Sequence, residues 1–248
     1  MTQLALLFGL TAGLYASVGF GGGSTYNALL VLAETDYRLL PSVALICNII
    51  VVIGGTIRFA KGGHIPWRRV WPLFALSVPA AWLGGRINVS ETVFIFILGG
   101  ALLVAGLNML FVSPPASADR PRRLPLWSEP GLGGGLGLIS GLVGIGGGIF
   151  LAPILHIARW GGAKAIAGTC SAFILANSLA GLAGQFTKLS ESGRTADLAA
   201  YWPLMLAVFI GGQIGSLLAT TTLPDRVIRL ATAGLILFVA LRLLWGLL

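Results

Sequence analysis

Two glycine-rich motifs are the parts of this sequence whose chemistry best suits ligand binding. Gly19-Phe20-Gly21-Gly22-Gly23 and Gly144-Ile145-Gly146-Gly147-Gly148 occupy matching places in the two halves of the chain, and each interrupts a hydrophobic stretch long enough to cross a bilayer. Glycine tolerates left-handed and extended backbone and lets a ligand approach the main chain closely. A glycine-rich break that leads into a helix therefore exposes N–H donors at a positive helix end, where an oxyanion can bind.

Polar side chains near both breaks could orient the oxygens of such an anion with neutral hydrogen bonds, which also permit release. Some directly follow the first break, and others lie on the apolar segment that follows each break. The candidate substrate-binding residues are Gly21, Gly22, Gly23, Ser24, Asn27, Asn48, Gly146, Gly147, Gly148, Thr169, Cys170 and Ser171. We predict no catalytic residue, no metal ligand and no cofactor.

The same glycines have a structural explanation, since small residues let membrane helices pack closely. We prefer that explanation for isolated pairs such as Gly54-Gly55. For the two duplicated breaks we favour a binding site. Non-helical backbone at membrane depth is tolerated only where it is buried in protein or lines a wet cavity.

The elements that would carry these motifs are transmembrane helices. The sequence is 56% hydrophobic and 10% charged, with a mean hydropathy of +0.91, as in a polytopic membrane protein. Because spans of about 20 apolar residues fit a bilayer, we predict one all-α membrane domain, 1–248, of about eight spans. Their approximate bounds are 4–33, 41–59, 69–87, 92–112, 131–158, 163–186, 199–220 and 226–247, and the first and fifth are over-long and broken at the glycine motifs.

Further internal repetition divides the chain into two homologous halves. Trp71-Pro72-Leu73 is echoed by Trp202-Pro203-Leu204, and Gly84-Gly85 by Gly211-Gly212. We predict a first repeat over about 4–112, a linker over 113–130 and a second repeat over 131–247. Four crossings per half would make the repeats parallel, whereas a glycine break that turned the chain back as a re-entrant hairpin would make them inverted. Hydropathy leaves both arrangements open.

Charge argues for membrane topology rather than nucleic-acid binding. The 16 basic residues outnumber the 8 acidic ones, but the basic residues are scattered through short loops between apolar runs. With strictly alternating spans, the positive-inside rule predicts that both termini and the central linker are cytoplasmic. The expected partners are the lipid bilayer and a small anion, with no nucleic acid, and a homodimer stays open.

No acidic residue is predicted to lie in mid-membrane, which weakens the case for proton or sodium coupling. An outward-moving monovalent anion gains about 2.3 kcal/mol per 100 mV from an inside-negative potential. Uniport driven by the membrane potential is therefore sufficient for export, without a coupling ion. Proton coupling through His156, which lies near the end of its span, is the alternative.

Several features of the sequence resemble the TauE/SafE family of sulfite and organosulfonate exporters, over nearly the whole chain. They are the two breaks, the Ala152-Pro153-Ile154-Leu155 that follows the second, and Ala167-Gly168-Thr169-Cys170-Ser171 on the next span. The resemblance implies an eight-helix carrier of the bacterial inner membrane for sulfur-containing anions. The first half departs from the family pattern, with Ser24-Thr25-Tyr26-Asn27-Ala28 in place of an apolar run that ends in proline.

The sequence thus predicts a secondary transporter that exports a small sulfur-containing oxyanion, such as sulfite or an organosulfonate, bound between the two breaks. An anion channel and a proton-coupled importer of another small anion remain alternatives. An enzyme is not expected, because neither glycine motif is followed by the Lys-Ser/Thr of a P-loop and nothing resembles a metal cluster or a nucleophile with its base.

Overall fold

The computed structural model describes residues 1–17, 21–111, 128–217 and 225–246, and all regular structure among them is helical. The helices are α1 (Thr2–Ser17), α2 (Gly23–Leu32), α3 (Leu40–Lys61), α4 (Trp67–Arg86), α5 (Glu91–Phe111), α6 (Ser128–Val143), α7 (Gly148–Ile157), α8 (Ala163–Glu191), α9 (Trp202–Leu217) and α10 (Asp225–Trp245), with a 3₁₀ helix, Thr195–Tyr201, before α9. The predicted all-α class is confirmed. Gly19 and Phe20 of the first motif, and most of the predicted linker, lie outside the described residues.

Four helical segments of the described chain are long and apolar enough to cross a bilayer: Leu40–Lys61, Glu91–Asn108, Lys164–Glu191 and Thr195–Gly215. The number of eight spans is not confirmed. Where hydropathy predicts an over-long first and fifth span, the chain instead forms two pairs of shorter helices, α1 with α2 and α6 with α7.

Each of these pairs is a helical hairpin, which we name hairpin 1 (residues 2–32) and hairpin 2 (residues 128–157). In hairpin 1, the Phe8 and Tyr26 rings stack with centroids 4.8 Å apart, and Met1 lines the same cavity as residues 33–36. The end of α2 therefore returns to the start of α1. In hairpin 2, the Trp160 indole Nε1–H donates to Glu129 Oε1 at 2.9 Å, which brings the end of α7 back to the start of α6.

The first helix of each hairpin packs parallel to a helix of the other half. A Cβ at Gly133, Gly137 or Gly141 of α6 would meet the backbone of Leu73, Ser77 or Ala81 of α4, respectively. The α1 and α9 helices repeat this register, with Gly9 against Ala207 and Gly13 against Gly211. Glycines spaced four residues apart allow this backbone-to-backbone approach between membrane helices.

The two central helices, α3 and α8, run antiparallel. Thr56 Oγ1 lies 2.9 Å from Ser171 Oγ, while Leu45, earlier in α3, packs against Gly181, later in α8. Since α1 and α9 are parallel, as are α4 and α6, corresponding elements of the two halves run in opposite directions. One hairpin followed by three long helices thus occurs twice, with opposite orientations. Hydropathy leaves parallel and inverted repeats open, and the described helices have the inverted arrangement.

These directions define two faces of the molecule. Face 1 holds residue 1, the start of α3 and the ends of α4 and α8, where Arg86 and Glu191 form an ion pair at 3.7 Å. Face 2 holds the end of α3, the end of α5 at Phe111 and the start of α6 at Ser128. Phe111 and Ser128 therefore lie opposite residue 1, whereas strict alternation of eight spans predicts the linker and residue 1 on the same side.

Candidate functional site

The segment between α6 and α7 has a backbone that only glycine adopts readily. Gly144, Gly146 and Gly147 have φ values of +81°, +85° and +76°, in the left-handed region. A residue with a Cβ pays about 1–2 kcal/mol to adopt this conformation. We call residues 144–147 tip 2. It turns the chain sharply, so that the buried N-terminus of α7 points back into the protein.

Side-chain amides cap the carbonyl end of α6. Asn27 Nδ2 donates to Val143 O at 3.0 Å, and Gln185 Nε2 donates to Gly141 O at 3.0 Å and to Leu142 O at 3.4 Å. The last four carbonyls of a helix have no partner within that helix. These amides thus reduce the negative charge of this helix end, and they do so without introducing a charged side chain.

Tip 1, residues 21–23, meets tip 2 with no space for side chains. A Cβ at Gly22 would lie 2.7 Å from Tyr26 Cζ, and a Cβ at Gly23 would lie 2.5 Å from the carbonyl oxygen of Ile145 in tip 2. The α2 helix begins at this point of contact. The α2 and α7 helices therefore both begin at the junction of the tips. No carbonyl within these helices can pair with their first N–H groups.

Asn48 of α3 connects the two tips. Its Nδ2 donates to Ile145 O of tip 2 at 3.2 Å, and its Oδ1 would lie 2.6 Å from a Cβ at Gly21 of tip 1. A Cβ at Gly146 would also approach Nδ2, at 2.9 Å. The Asn48 side chain is fully buried.

Only some of the substrate-binding residues predicted from the sequence lie together at the tips. Gly21, Gly22, Gly23, Asn27, Asn48, Gly146, Gly147 and Gly148 lie at or beside the tips, with Ser24 in the first turn of α2. Cys170 contributes a backbone carbonyl 3.6 Å from the place of a Cβ at Gly148. Ser171 instead pairs with Thr56 of α3, which lies about two turns from Asn48, and Thr169 is buried with no hydrogen-bond partner for Oγ1 among the described residues.

Sequence reasoning missed residues that only the hairpin geometry brings to the tips. Tyr26 packs over Gly22, and Ser178 lies 3.4 Å from the place of a Cβ at Gly146. Both are buried, and neither the Tyr26 nor the Ser178 hydroxyl has a hydrogen-bond partner in the described part of the chain. The tyrosine lies three residues after Gly23 of the first motif, and this proximity is a signal, whereas nothing in the sequence marks Ser178. No group of three or more His, Cys, Asp or Glu among the described residues could hold a metal ion.

A cavity of about 430 Å³ opens on face 1 and reaches towards tip 2. Arg38 and Lys188 contribute its basic groups and Glu191 an acidic one, and its lining includes Leu142 at the end of α6. Lined by two cations and one carboxylate, this vestibule carries a net positive charge, which favours the approach of an anion.

An ion pair joins the two halves beside this vestibule. Arg194, in the connection between α8 and α9, donates from Nη1 to Asp36 Oδ2 at 2.7 Å, and from Nε to Asp197 at 2.9 Å. Partial burial alone would raise the pKa of Asp36, but hydrogen bonds from the Arg38 backbone N–H and from Arg194 outweigh it and lower that pKa below its ordinary value.

Comparison with known proteins gives a family match. The family model described as "Sulfite exporter TauE/SafE" matches residues 4–243. A probable membrane transporter protein of Sinorhizobium fredii is 34% identical over 98% of this chain and 97% of its own length. The probable membrane transporter protein MamO of Paramagnetospirillum magneticum is 27% identical over 98% of this chain but only 44% of its own length. A further probable membrane transporter protein, from Methanocaldococcus jannaschii, is 28% identical over 77% of this chain. No solved structure matches the chain.

Proposed function

The chain belongs to the TauE/SafE family of sulfite exporters, and we propose that it exports a small sulfur-containing oxyanion, such as sulfite or an organosulfonate, by binding it between the two hairpin tips. It is a membrane transporter and not an enzyme. The observation that carries the proposed substrate site is the meeting of tip 1 and tip 2 at the N-termini of α2 and α7.

Two helix N-termini at one buried place are suited to an anion. Each presents N–H donors and the positive end of a helix dipole, and broken helices at the midplane bind anionic substrate groups in this way in other transporters. The carbonyl end of α6, which would repel an anion, is capped by Asn27 and Gln185. A site of neutral donors holds the oxyanion without the strong attraction of a buried cation and so allows its release.

We further propose that six helices, α3, α4, α5, α8, α9 and α10, cross the membrane and that the two hairpins enter it from opposite faces without crossing. Large apolar side chains on the outer surfaces of these helices support this arrangement. Trp71, Phe96, Phe209 and Phe238 are each more than half exposed, an exposure that suits lipid contact better than contact with water.

This arrangement reverses the orientation expected from eight alternating spans. Among the described residues, the basic ones on face 2 outnumber those on face 1. Face 2 carries Arg58, Lys61, Arg68, Arg69, Arg159, Lys164, Arg226 and Arg229, and face 1 carries Arg38, Arg86, Lys188, Arg194 and Arg242. The positive-inside rule then favours face 2 in the cytoplasm. We therefore propose an inner-membrane protein with both termini outside the cytoplasm.

Export of a monovalent anion in this orientation needs no coupling ion. The membrane potential contributes about 2.3 kcal/mol per 100 mV, which corresponds to roughly fifty-fold accumulation outside the cell. The acidic residues of the described chain support this proposal, since they lie at helix ends and in connections. The vestibule on face 1 would then be the side of release.

The proposed function is tested with purified protein in proteoliposomes loaded with labelled sulfite. We expect saturable efflux that an imposed potential accelerates, and counterflow of label against unlabelled sulfite. Gly147→Ala, at tip 2, should lower the rate, whereas Gly135→Ala, in open space on α6, should not. Unitary currents without saturation would identify a channel instead. Uptake that requires a proton gradient would identify an importer.

A further inference from the structure

The Asn48 side chain presents an unused acceptor at the junction of the tips. The residue is 0% exposed, and its Oδ1 has no hydrogen-bond partner among the described residues. That oxygen faces tip 1, at 2.6 Å from the place of a Cβ at Gly21. A buried acceptor without a partner has lost its hydrogen bonds to water and destabilises the folded protein. The oxygen is therefore expected to meet a donor when the site is in use.

The orientation of this amide is determined by its neighbour. Asn48 Nδ2 donates to the Ile145 carbonyl at 3.2 Å. A flipped amide would place Oδ1 against that carbonyl, oxygen against oxygen, and would lose the hydrogen bond. The nitrogen is thus committed to the Ile145 carbonyl of tip 2, and the oxygen lies beside Gly21 of tip 1.

Two kinds of hydrogen-bonding group therefore meet at this junction. The starts of α2 and α7 supply backbone N–H donors, which can bind the oxygens of an anion. Asn48 supplies an acceptor, which cannot hydrogen-bond to those oxygens. A ligand that satisfies both carries anionic oxygens together with one hydrogen-bond donor. An oxyanion without any donor would bring one of its own oxygens against Asn48 Oδ1.

We propose that Asn48 determines specificity for sulfur oxyanions whose molecule also bears a hydrogen-bond donor, either a protonated monoanion such as bisulfite or a sulfonate with a hydroxyl or ammonium group. This inference rests on the proposed function, because it assumes that the sulfur anion binds between the tips. It narrows the substrate class by excluding fully deprotonated dianions. Sites built to pair a donor of the substrate discriminate strongly against analogues that lack it.

The test compares matched ligands on the wild-type protein, so that no variant has to fold for it to succeed. Affinities are measured for 2-aminoethanesulfonate, 2-hydroxyethanesulfonate and ethanesulfonate, which share the sulfonate and carry at the other end an ammonium group, a hydroxyl group or no donor; the last two have the same net charge. We expect the two donor-bearing ligands to bind at least about tenfold more tightly, as the loss of one buried hydrogen bond predicts. Sulfite should bind more weakly as pH rises and bisulfite loses its proton, whereas binding of methanesulfonate, which has no such proton, should change less.

Two variants connect this preference to the residue. Asn48→Leu, of similar shape, should remove the difference between the matched ligands. Asn177→Leu is the control, since Asn177 is equally buried but donates to Phe173 O of its own helix, and it should keep the difference.

Equal affinity for the three sulfonates, or tighter binding of sulfite as a dianion, overturns the inference and leaves the proposed function intact. Stabilisation of the protein by sodium ions alone, lost in Asn48→Leu, also overturns it, because the oxygen would then bind a cation. Binding of none of these anions would overturn both this inference and the proposed substrate.

Discussion

Substitution of Gly144 by alanine tests the backbone geometry of tip 2 most sharply. At a φ of +81° the alanine would cost about 1–2 kcal/mol for the left-handed conformation alone. Its Cβ would also lie 2.5 Å from Pro41 Cα and 2.7 Å from Pro41 O. These are backbone atoms, which cannot rotate aside, so overpacking adds about 1–3 kcal/mol. We expect a loss of about 2–5 kcal/mol in the free energy of unfolding.

Two further alanine substitutions calibrate this value. Gly147 has a similar φ of +76°, but its nearest obstacle is a ring atom of Phe173 at 2.9 Å. A side chain can shift, so Gly147→Ala should cost only about 1–2 kcal/mol. Gly135 lies within α6 with no atom within 4 Å of its Cβ position. Gly135→Ala should stabilise the protein by up to about 1 kcal/mol, because alanine is the better helix former.

Thermal unfolding of the purified variants in detergent measures the order of their stabilities. At about 2–4 °C per kcal/mol for a chain of this size, Gly144→Ala should lower the midpoint by roughly 10 °C relative to wild type. Gly147→Ala should fall between Gly144→Ala and Gly135→Ala. If the Gly144→Ala protein were as stable as the Gly135→Ala protein, the left-handed turn against Pro41 would not exist. That result would refute the geometry described for the junction of the tips.

Three other contacts give testable outcomes. Gln185→Leu should destabilise the protein by about 1–3 kcal/mol in thermal unfolding, because it leaves the carbonyl of Gly141 at the end of α6 unpaired; an unchanged midpoint would contradict the capping role. The pKa of Asp36 is lowered, so its contribution to stability is present above its ordinary pKa, near pH 4, and is lost as pH falls through the lowered value. Arg194→Gln should therefore reduce the acid-induced loss of stability between pH 5 and about pH 2, and an unaltered pH profile would count against the ion pair. Trp160→Phe removes an indole N–H bonded to a carboxylate at the start of α6 and should cost about 2 kcal/mol, whereas a neutral result would argue against closure of hairpin 2 at that end.

The glycine motifs illustrate how much of the structure can be predicted from the sequence. Their composition and matching positions predict two breaks, and in the described part of the chain Gly23 starts α2 and Gly148 starts α7. The repeated Gly84-Gly85 and Gly211-Gly212 pairs serve a different purpose, because Gly84 packs on α6 and Gly211 on α1 at equivalent positions. Spacing alone does not separate these two uses of glycine, since backbone conformation and close packing both favour the smallest side chain.

The polar candidates show where prediction from the sequence ends. Asn48 and Ser171 occupy similar places in α3 and α8, yet Asn48 joins the two tips while Ser171 pairs with Thr56. Ser178 approaches tip 2 without any sequence signal. Which polar side chains face the tips depends on how α3 and α8 cross, and that crossing is set by contacts between residues far apart in the chain.

The sequence by itself determined the helical class, the membrane environment and the family, because apolar run length, composition and short motifs are local properties of the chain. Only the tertiary structure decided that the first and fifth apolar stretches fold back as hairpins and that the two halves are inverted. The physical reason is that glycine adopts positive and negative φ about equally readily, so a glycine break permits either a continuation or a reversal of the chain. The choice is made by packing of α1 on α9 and of α6 on α4, contacts that exist only when both halves have folded together.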